Sequence, residues 1–143
     1  MSLERSYSEE NINWEELAEL FRIAPFGDKR PEDIEKAFVN SMFKCFIFEQ
    51  GKLVGVGRAL ADGIDCSYIC DVAVHPEYQG TGLGRAIITK LLDFSEGHKK
   101  IILYACPGKE GFYNKFGFKQ MNTAMAIFEN QDQALASGLV CEA

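Results

Sequence analysis

The sequence predicts a single α/β domain built on a mixed sheet. Three observations carry that prediction. The chain has 143 residues, enough for one substantial core and too few for two. Its patterning runs in the order helix, helix, strands, helix, strand, helix, strand. Residues 66–74, CSYICDVAV, form a near-continuous apolar run, as a central strand covered on both faces requires.

Each element has its own signal. Asn13 followed by Glu16 has the form of a capping box, and Trp14, Leu17, Leu20 and Phe21 recur behind it at helical spacing. The stretch APFGDKRP interrupts the pattern, and Pro31 opens a second helix carrying Ile34, Ala37, Phe38 and Val39. KCFIFEQ and LVGVGRAL, joined at Gly51-Lys52, read as a hairpin, and Asp62-Gly63 marks a further turn. Leu83, Ile87, Ile88, Leu91 and Leu92 predict a helix, with Gly97 near its end. KIILYA predicts a strand, residues 108–116 a short helix closed by Gly117, and FKQMNTAMAIF a returning strand. The aromatics Trp14, Phe21, Phe26 and Phe38 are expected chiefly in the core, although they could also line a pocket.

Composition narrows the function classes. A net charge of −6 argues against a nucleic-acid surface or an anionic-membrane surface, both of which need basic patches. It leans mildly toward a cationic small substrate. Five cysteines, an odd number with no C-x-x-C pair, and only two histidines make a Cys/His zinc site hard to build. No metal is expected, and the thiols read as reduced, packed as small hydrophobes in a cytoplasmic protein. The first residues show no basic region followed by an apolar one, so no signal peptide is expected, and no apolar run approaches membrane-spanning length.

The chemistry concentrates in HPEYQGTGLGRA, residues 75–86, where Gly80, Gly82 and Gly84 alternate between a strand and a helix. Glycine costs conformational entropy, so three in five residues need a reason. The first amides of a helix lack intrahelical acceptors and carry partial positive charge, which makes the turn an anion site. Arg85 adds a full charge, and the expected ligand is a phosphate or pyrophosphate. The P-loop pattern and the dinucleotide fingerprint G-x-G-x-x-G both fail here.

The stretch VAVHPEYQGTGLGRA resembles the acetyl-CoA-binding motif of the GNAT superfamily of N-acetyltransferases, whose pattern Q/R-x-x-G-x-G/A is met by Gln79, Gly82 and Gly84. GFYNKFGF farther on is similar to the family as well, and the likeness covers roughly residues 43–128. It implies one GNAT-like α/β domain over 1–143, a mixed, mostly antiparallel sheet flanked by helices, with 129–143 either a flexible end or a short C-terminal helix. It implies that amides from Gln79, Gly80, Thr81, Gly82, Leu83, Gly84 and Arg85 hold the pyrophosphate of acetyl-CoA. Val72, Ala73 and Val74 would pair with the pantetheine arm, and an amide near Val72 would face the thioester carbonyl.

Acetyl transfer needs a neutral amine, a stabilised oxyanion and a proton for the departing thiolate. Tyr113 takes the last role by resemblance, since a phenol of pKa about 10 suits a thiol. Asp71, an acid in a mostly apolar strand, and Glu110, a turn before Tyr113, are the candidate bases. Strand alternation is expected to turn Asp71 away from the face of Val72. Histone-type members carry a glutamate in the central strand; none lies between Cys66 and Val74, so a water chain stays open as the base. Asp62 and Asp65 read as solvated turn residues, His75 as a structural loop residue, and Cys106 as no nucleophile. The function expected is an acetyl-CoA-dependent N-acetyltransferase acting on a primary amine of a small molecule, by direct attack in a ternary complex. The alternative is a noncatalytic acyl-CoA-binding or sensor module. The resemblance also allows a homodimer.

Overall fold

The structure is a computed structural model that describes residues 2–142; the two end residues of the expected 1–143 domain lie outside it. Residues 1–103 and 104–143 form two compact units.

The first unit is a five-stranded sheet in the order β1-β2-β3-β4-β5 with three helices. The strands are β1 (Leu3–Ser6), β2 (Phe43–Glu49), β3 (Lys52–Ala61), β4 (Cys66–Val74) and β5 (Lys100–Ile102). The first four pair antiparallel and β4 pairs with β5 in parallel, so the sheet is mixed and mostly antiparallel. Strand β1 escapes the sequence reading because LERS is too short and too polar to show alternation. The hairpin turn falls at Gln50-Gly51, one residue earlier than expected, with both residues at positive φ as a tight hairpin demands.

Helix α1 (Trp14–Ile23) is capped by Asn13, whose Oδ1 accepts from the amides of Glu15 and Glu16 at 3.1 Å each. Glu16 does not complete the box; its Oε2 accepts the Leu53 amide at 3.0 Å and ties α1 to β3. Pro31 opens α2 (Pro31–Val39) in the first turn, where its missing N–H costs nothing. Leu17, Leu20 and Phe21 of α1 and Ile34 and Phe38 of α2 form one core with Phe46, Val56 and Ala73 of the sheet. Phe38 is fully buried, a burial that contributes on the order of 2–3 kcal/mol.

Helix α3 (Leu83–Phe94) buries Leu83, Ile87, Ile88 and Leu91. Gly55 and Gly57 of β3 let it approach: a Cβ on Gly57 would stand 2.6 Å from Ile87 Cγ2 and 3.1 Å from Leu91 Cδ1. At its far end Ser95 Oγ donates to the Leu91 carbonyl at 2.7 Å and meets Ser67 Oγ of β4 at 2.8 Å, both serines buried. That pair pins the C-terminus of α3 to β4. Cys45 of β2 is 1% exposed, and burial pushes its thiol up to about 11 from an ordinary 9.0.

The second unit holds α4 (Glu110–Asn114) and α5 (Gln131–Ala136). Two expectations fail around it. KIILYA is a strand only over Lys100–Ile102, and residues 118–128 form no strand. In that last stretch Met125 and Ile127 are more than nine-tenths exposed, and a run of Ala, Met and Asn has little preference for a pleated surface. The cysteines also divide. Cys45 is packed as expected and Cys66 and Cys70 are half-buried, but Cys106 and Cys141 are exposed, because the second unit buries almost nothing.

Candidate active site

The turn after β4 is built by its own side chains. His75 Nδ1 accepts the Glu77 amide at 3.1 Å and starts a 3-10 turn over Pro76–Tyr78. The Tyr78 hydroxyl donates to Glu49 of β2, and that bond raises its pKa. Gln79 Nε2 reaches back to the Val74 carbonyl at 3.3 Å, and the Thr81 hydroxyl donates to the Tyr78 carbonyl. The Gln79 and Thr81 amides are spent within the loop as well, donating to the Pro76 and Tyr78 carbonyls at 3.4 and 3.3 Å.

Gly80 and Gly82 have φ of 81° and 90°, and nothing stands within 4 Å of where a Cβ would be. The reason for glycine at these two positions is therefore the left-handed backbone, which turns the chain abruptly into α3 and leaves open space in front of it. Gly82 is the N-cap of α3, no side chain caps the helix, and its first turn holds no acid. The positive end of the dipole of this 12-residue helix is thus met by no capping side chain and no acid of its own first turn. Beside Gly82 lies a cleft of about 400 Å³ lined by Arg5, Tyr7, Arg85, Lys90 and Asp93. Three cations against one carboxylate make it an anionic ligand's environment.

Strand β4 has an open side. Its parallel ladder with β5 pairs only Cys66, Ser67 and Tyr68, whereas β4 runs on to Val74. Within this unit, Ile69–Val74 has no strand on that side. The β3–β4 register slips between Val56 and Arg58, so Asp71 and Val72 together oppose Gly57, and Asp71 takes φ +55°. This is a β-bulge, which re-aims a side chain at a sheet position. Asp71 and Val72 do part as alternation suggests, but through the bulge: Val72 lies against the Gly57 position under α3, and Asp71 meets Arg58 and Lys29.

Arg58 Nε donates to Asp71 Oδ2 at 2.7 Å, and its Nη1 donates to Ser41 Oγ at 3.2 Å. The guanidinium lies 5.7 Å from the Phe38 ring centroid. Lys29 Nζ stands 3.4 Å from Asp71 Oδ1 and 5.0 Å from the Phe21 ring centroid. Neither Arg58 nor Lys29 is among the sequence-derived candidates. The signal was present: an arginine in LVGVGRAL and an acid in CSYICDVAV are the charges two buried strands must reconcile.

In the second unit, Tyr113 lies on α4, half-buried, with the Phe112 ring at 5.1 Å and Phe118 at 6.2 Å. Burial chiefly, and Cys106 next, raise its pKa above the usual 10.0. Glu110 is exposed on the first turn of α4. Asp62 is held low by amides of Ile64, Asp65 and Cys66, and is a turn-forming group. No group of three or more potential metal-ligating side chains and no helix long and apolar enough to cross a membrane occurs among the described residues.

A family profile for the acetyltransferase (GNAT) domain matches residues 4–129. The chain belongs to the GNAT family. A serotonin N-acetyltransferase of rice (Oryza sativa subsp. japonica), named as chloroplastic, is 32% identical over 126 residues, which is 82% of this chain and 63% of that protein. An uncharacterized ycf52-like N-acetyltransferase of Prochlorococcus marinus is 30% identical over 109 residues, 72% of this chain and 61% of the relative. The GNAT chain thus spans somewhat over three-fifths of these two relatives. A solved GNAT-family acetyltransferase of Streptococcus pneumoniae shares the fold at TM-score 0.77, with 21% identity over 91% of this chain and 99% of its own.

Proposed function

We propose that this GNAT protein is an acetyl-CoA-dependent N-acetyltransferase that moves the acetyl group to a primary amine of a small molecule by direct attack in a ternary complex. The observation that supports this reading is the N-terminus of α3 at left-handed Gly82, without a side-chain cap or a first-turn acid, one short loop after a strand whose β5 ladder ends at Tyr68. Backbone amides from Gln79 to Arg85 bind the pyrophosphate, those of Gln79 and Thr81 by giving up their 3.4 and 3.3 Å bonds to the Pro76 and Tyr78 carbonyls, and the cleft lined by Arg5, Arg85 and Lys90 offers charge to the nucleotide's remaining phosphate. Val72, Ala73 and Val74 offer strand-like hydrogen bonds to the pantetheine amides, which lays the thioester along β4. An amide near Val72 donates to the developing oxyanion.

Asp71 receives the acceptor's ammonium: Arg58 anchors Oδ2, and Oδ1, which Lys29 Nζ faces at 3.4 Å, is the oxygen that takes a proton once the acceptor amine stands in the place of Lys29. Glu110 is the rival carboxylate, and comparing Asp71→Asn with Glu110→Gln assigns the role. A relative named for serotonin, itself a primary amine, supports this acceptor class. Tyr113 gives its proton to the departing thiolate. Because its pKa is raised, the phenol is still a donor at pH values where an ordinary tyrosine of 10.0 begins to ionise. The alkaline limb of turnover should therefore lie above pH 10.0.

The test is calorimetric titration with CoA, followed by an amine panel assayed for CoA release from acetyl-CoA. Tyr113→Phe should lower turnover about 100-fold and leave CoA affinity nearly unchanged. CoA binding with no amine consumed would leave a noncatalytic acyl-CoA-binding module; no CoA binding would remove the reading.

A further inference from the structure

We propose that Lys29 is itself an acetyl acceptor, modified within its own chain, and that the unmodified side chain occupies the place of the acceptor amine. The inference rests on the reading of β4 as the thioester's position. Lys29 lies in the 24–30 loop between α1 and α2, and its ammonium stands 3.4 Å from Asp71 Oδ1 and 5.0 Å from the centre of Phe21. A carboxylate on one side and an aromatic face on the other is the chemistry that recognises an alkylammonium ion.

The receptor half of this arrangement is built, while the lysine is not. Asp71 and Arg58 side chains are 16% and 15% exposed, and Arg58 is fixed in turn by Ser41, whose hydroxyl donates to the Ala37 carbonyl at 2.7 Å. Lys29 is 38% exposed on a loop. An exposed lysine paired at 3.4 Å adds little stability, so the left-handed bulge at Asp71 is not explained by that pair alone. Asp71 immediately precedes Val72, in the part of β4 that extends beyond the β5 ladder. Lys29 is thereby an amine held at the carboxylate next to the proposed thioester.

The step balances with acetyl-CoA as the co-reactant. Lys29 gives one ammonium proton to Asp71 Oδ1, and the neutral Nζ attacks the thioester carbonyl carbon. The C–N bond forms as the C–S bond breaks. The thiolate leaves with a second amine proton, by way of a donor or directly, and the proton on Asp71 passes to solvent. The product amide carries no charge, so Lys29 releases Asp71 and the receptor becomes available to a free amine.

The experiment incubates the full chain with acetyl-CoA, follows every lysine by peptide mass spectrometry, and titrates the same preparation with CoA. Lys29 should acquire one acetyl group at least ~10-fold faster than exposed Lys99, Lys109 and Lys119, with a half-time independent of protein concentration. Asp71→Asn should slow Lys29 by ~10-fold or more and leave the other lysines unchanged. Should that variant not fold, the ranking of lysines and the concentration series in the unaltered protein decide. CoA binding with Lys29 modified no faster than the other lysines overturns this proposal alone. So does a rate that rises with protein concentration, or one that Asp71→Asn leaves unchanged in a folded variant. Failure to bind CoA removes the proposed function and this proposal together.

Discussion

Two pairs of glycines in the first unit do opposite things. Gly55 and Gly57 of β3 have ordinary extended backbones and no room: a Cβ would press on Ile87 at 3.1 and 2.6 Å. Gly80 and Gly82 have ample room and a backbone that side chains resist, at φ of 81° and 90°. The first pair buys closeness between a helix and a sheet. The second turns the chain so that the same helix begins without a side-chain cap. Helix α3 is thus seated by one pair and aimed by the other, and a glycine count cannot tell the two jobs apart.

The sharpest way to break the contrast is to substitute both sites with the same residues. At Gly57 alanine should cost about 1–3 kcal/mol in denaturant midpoint, and asparagine more, since the cost is volume against Ile87 and Leu91. Pairing Gly57→Ala with Ile87→Ala should cost less than the two single losses summed, because each makes space for the other. At Gly82 the order should reverse. Alanine should cost about 1–2 kcal/mol and asparagine less, because asparagine tolerates the left-handed region. Equal ranking at both sites would show that space and backbone are not separable here. The smallest effect is expected at Gln50, a left-handed residue (φ 49°) in a turn with no ligand role, where asparagine should add about 0.5 kcal/mol. A gain there with no change in CoA titration would confine the ligand effect to the loop before α3.

The loop was legible because its signal is local: Gln79 to Arg85 carries spacing, glycines and a following helix within one window. The Asn13 cap, the β2–β3 hairpin and the start of α2 at Pro31 were readable for the same reason. Misses occurred where partners are remote. Glu16 bonds to Leu53 instead of its own cap, and no local rule anticipates a bond across 37 positions. Strand β1 exists because β2 offers it an edge, with Leu3 opposite Glu49. Residues 118–128 carried apolar letters but find no ladder, as Met125 and Ile127 show by their exposure. The Asp71 bulge was hidden too, since one extra residue in β4 is visible only against the register of β3.

The sealed thiol of Cys45 gives the protein an internal clock. Alkylating reagents attack the thiolate, and a side chain 1% exposed with a pKa near 11 presents almost none at neutral pH. Its labelling therefore times the opening of the sheet, while Cys106 and Cys141 react at once and calibrate the reagent. In alkali the same group works against the fold: above 9.0 the unfolded chain gives up this proton while the native one keeps it, so stability drains away until about 11.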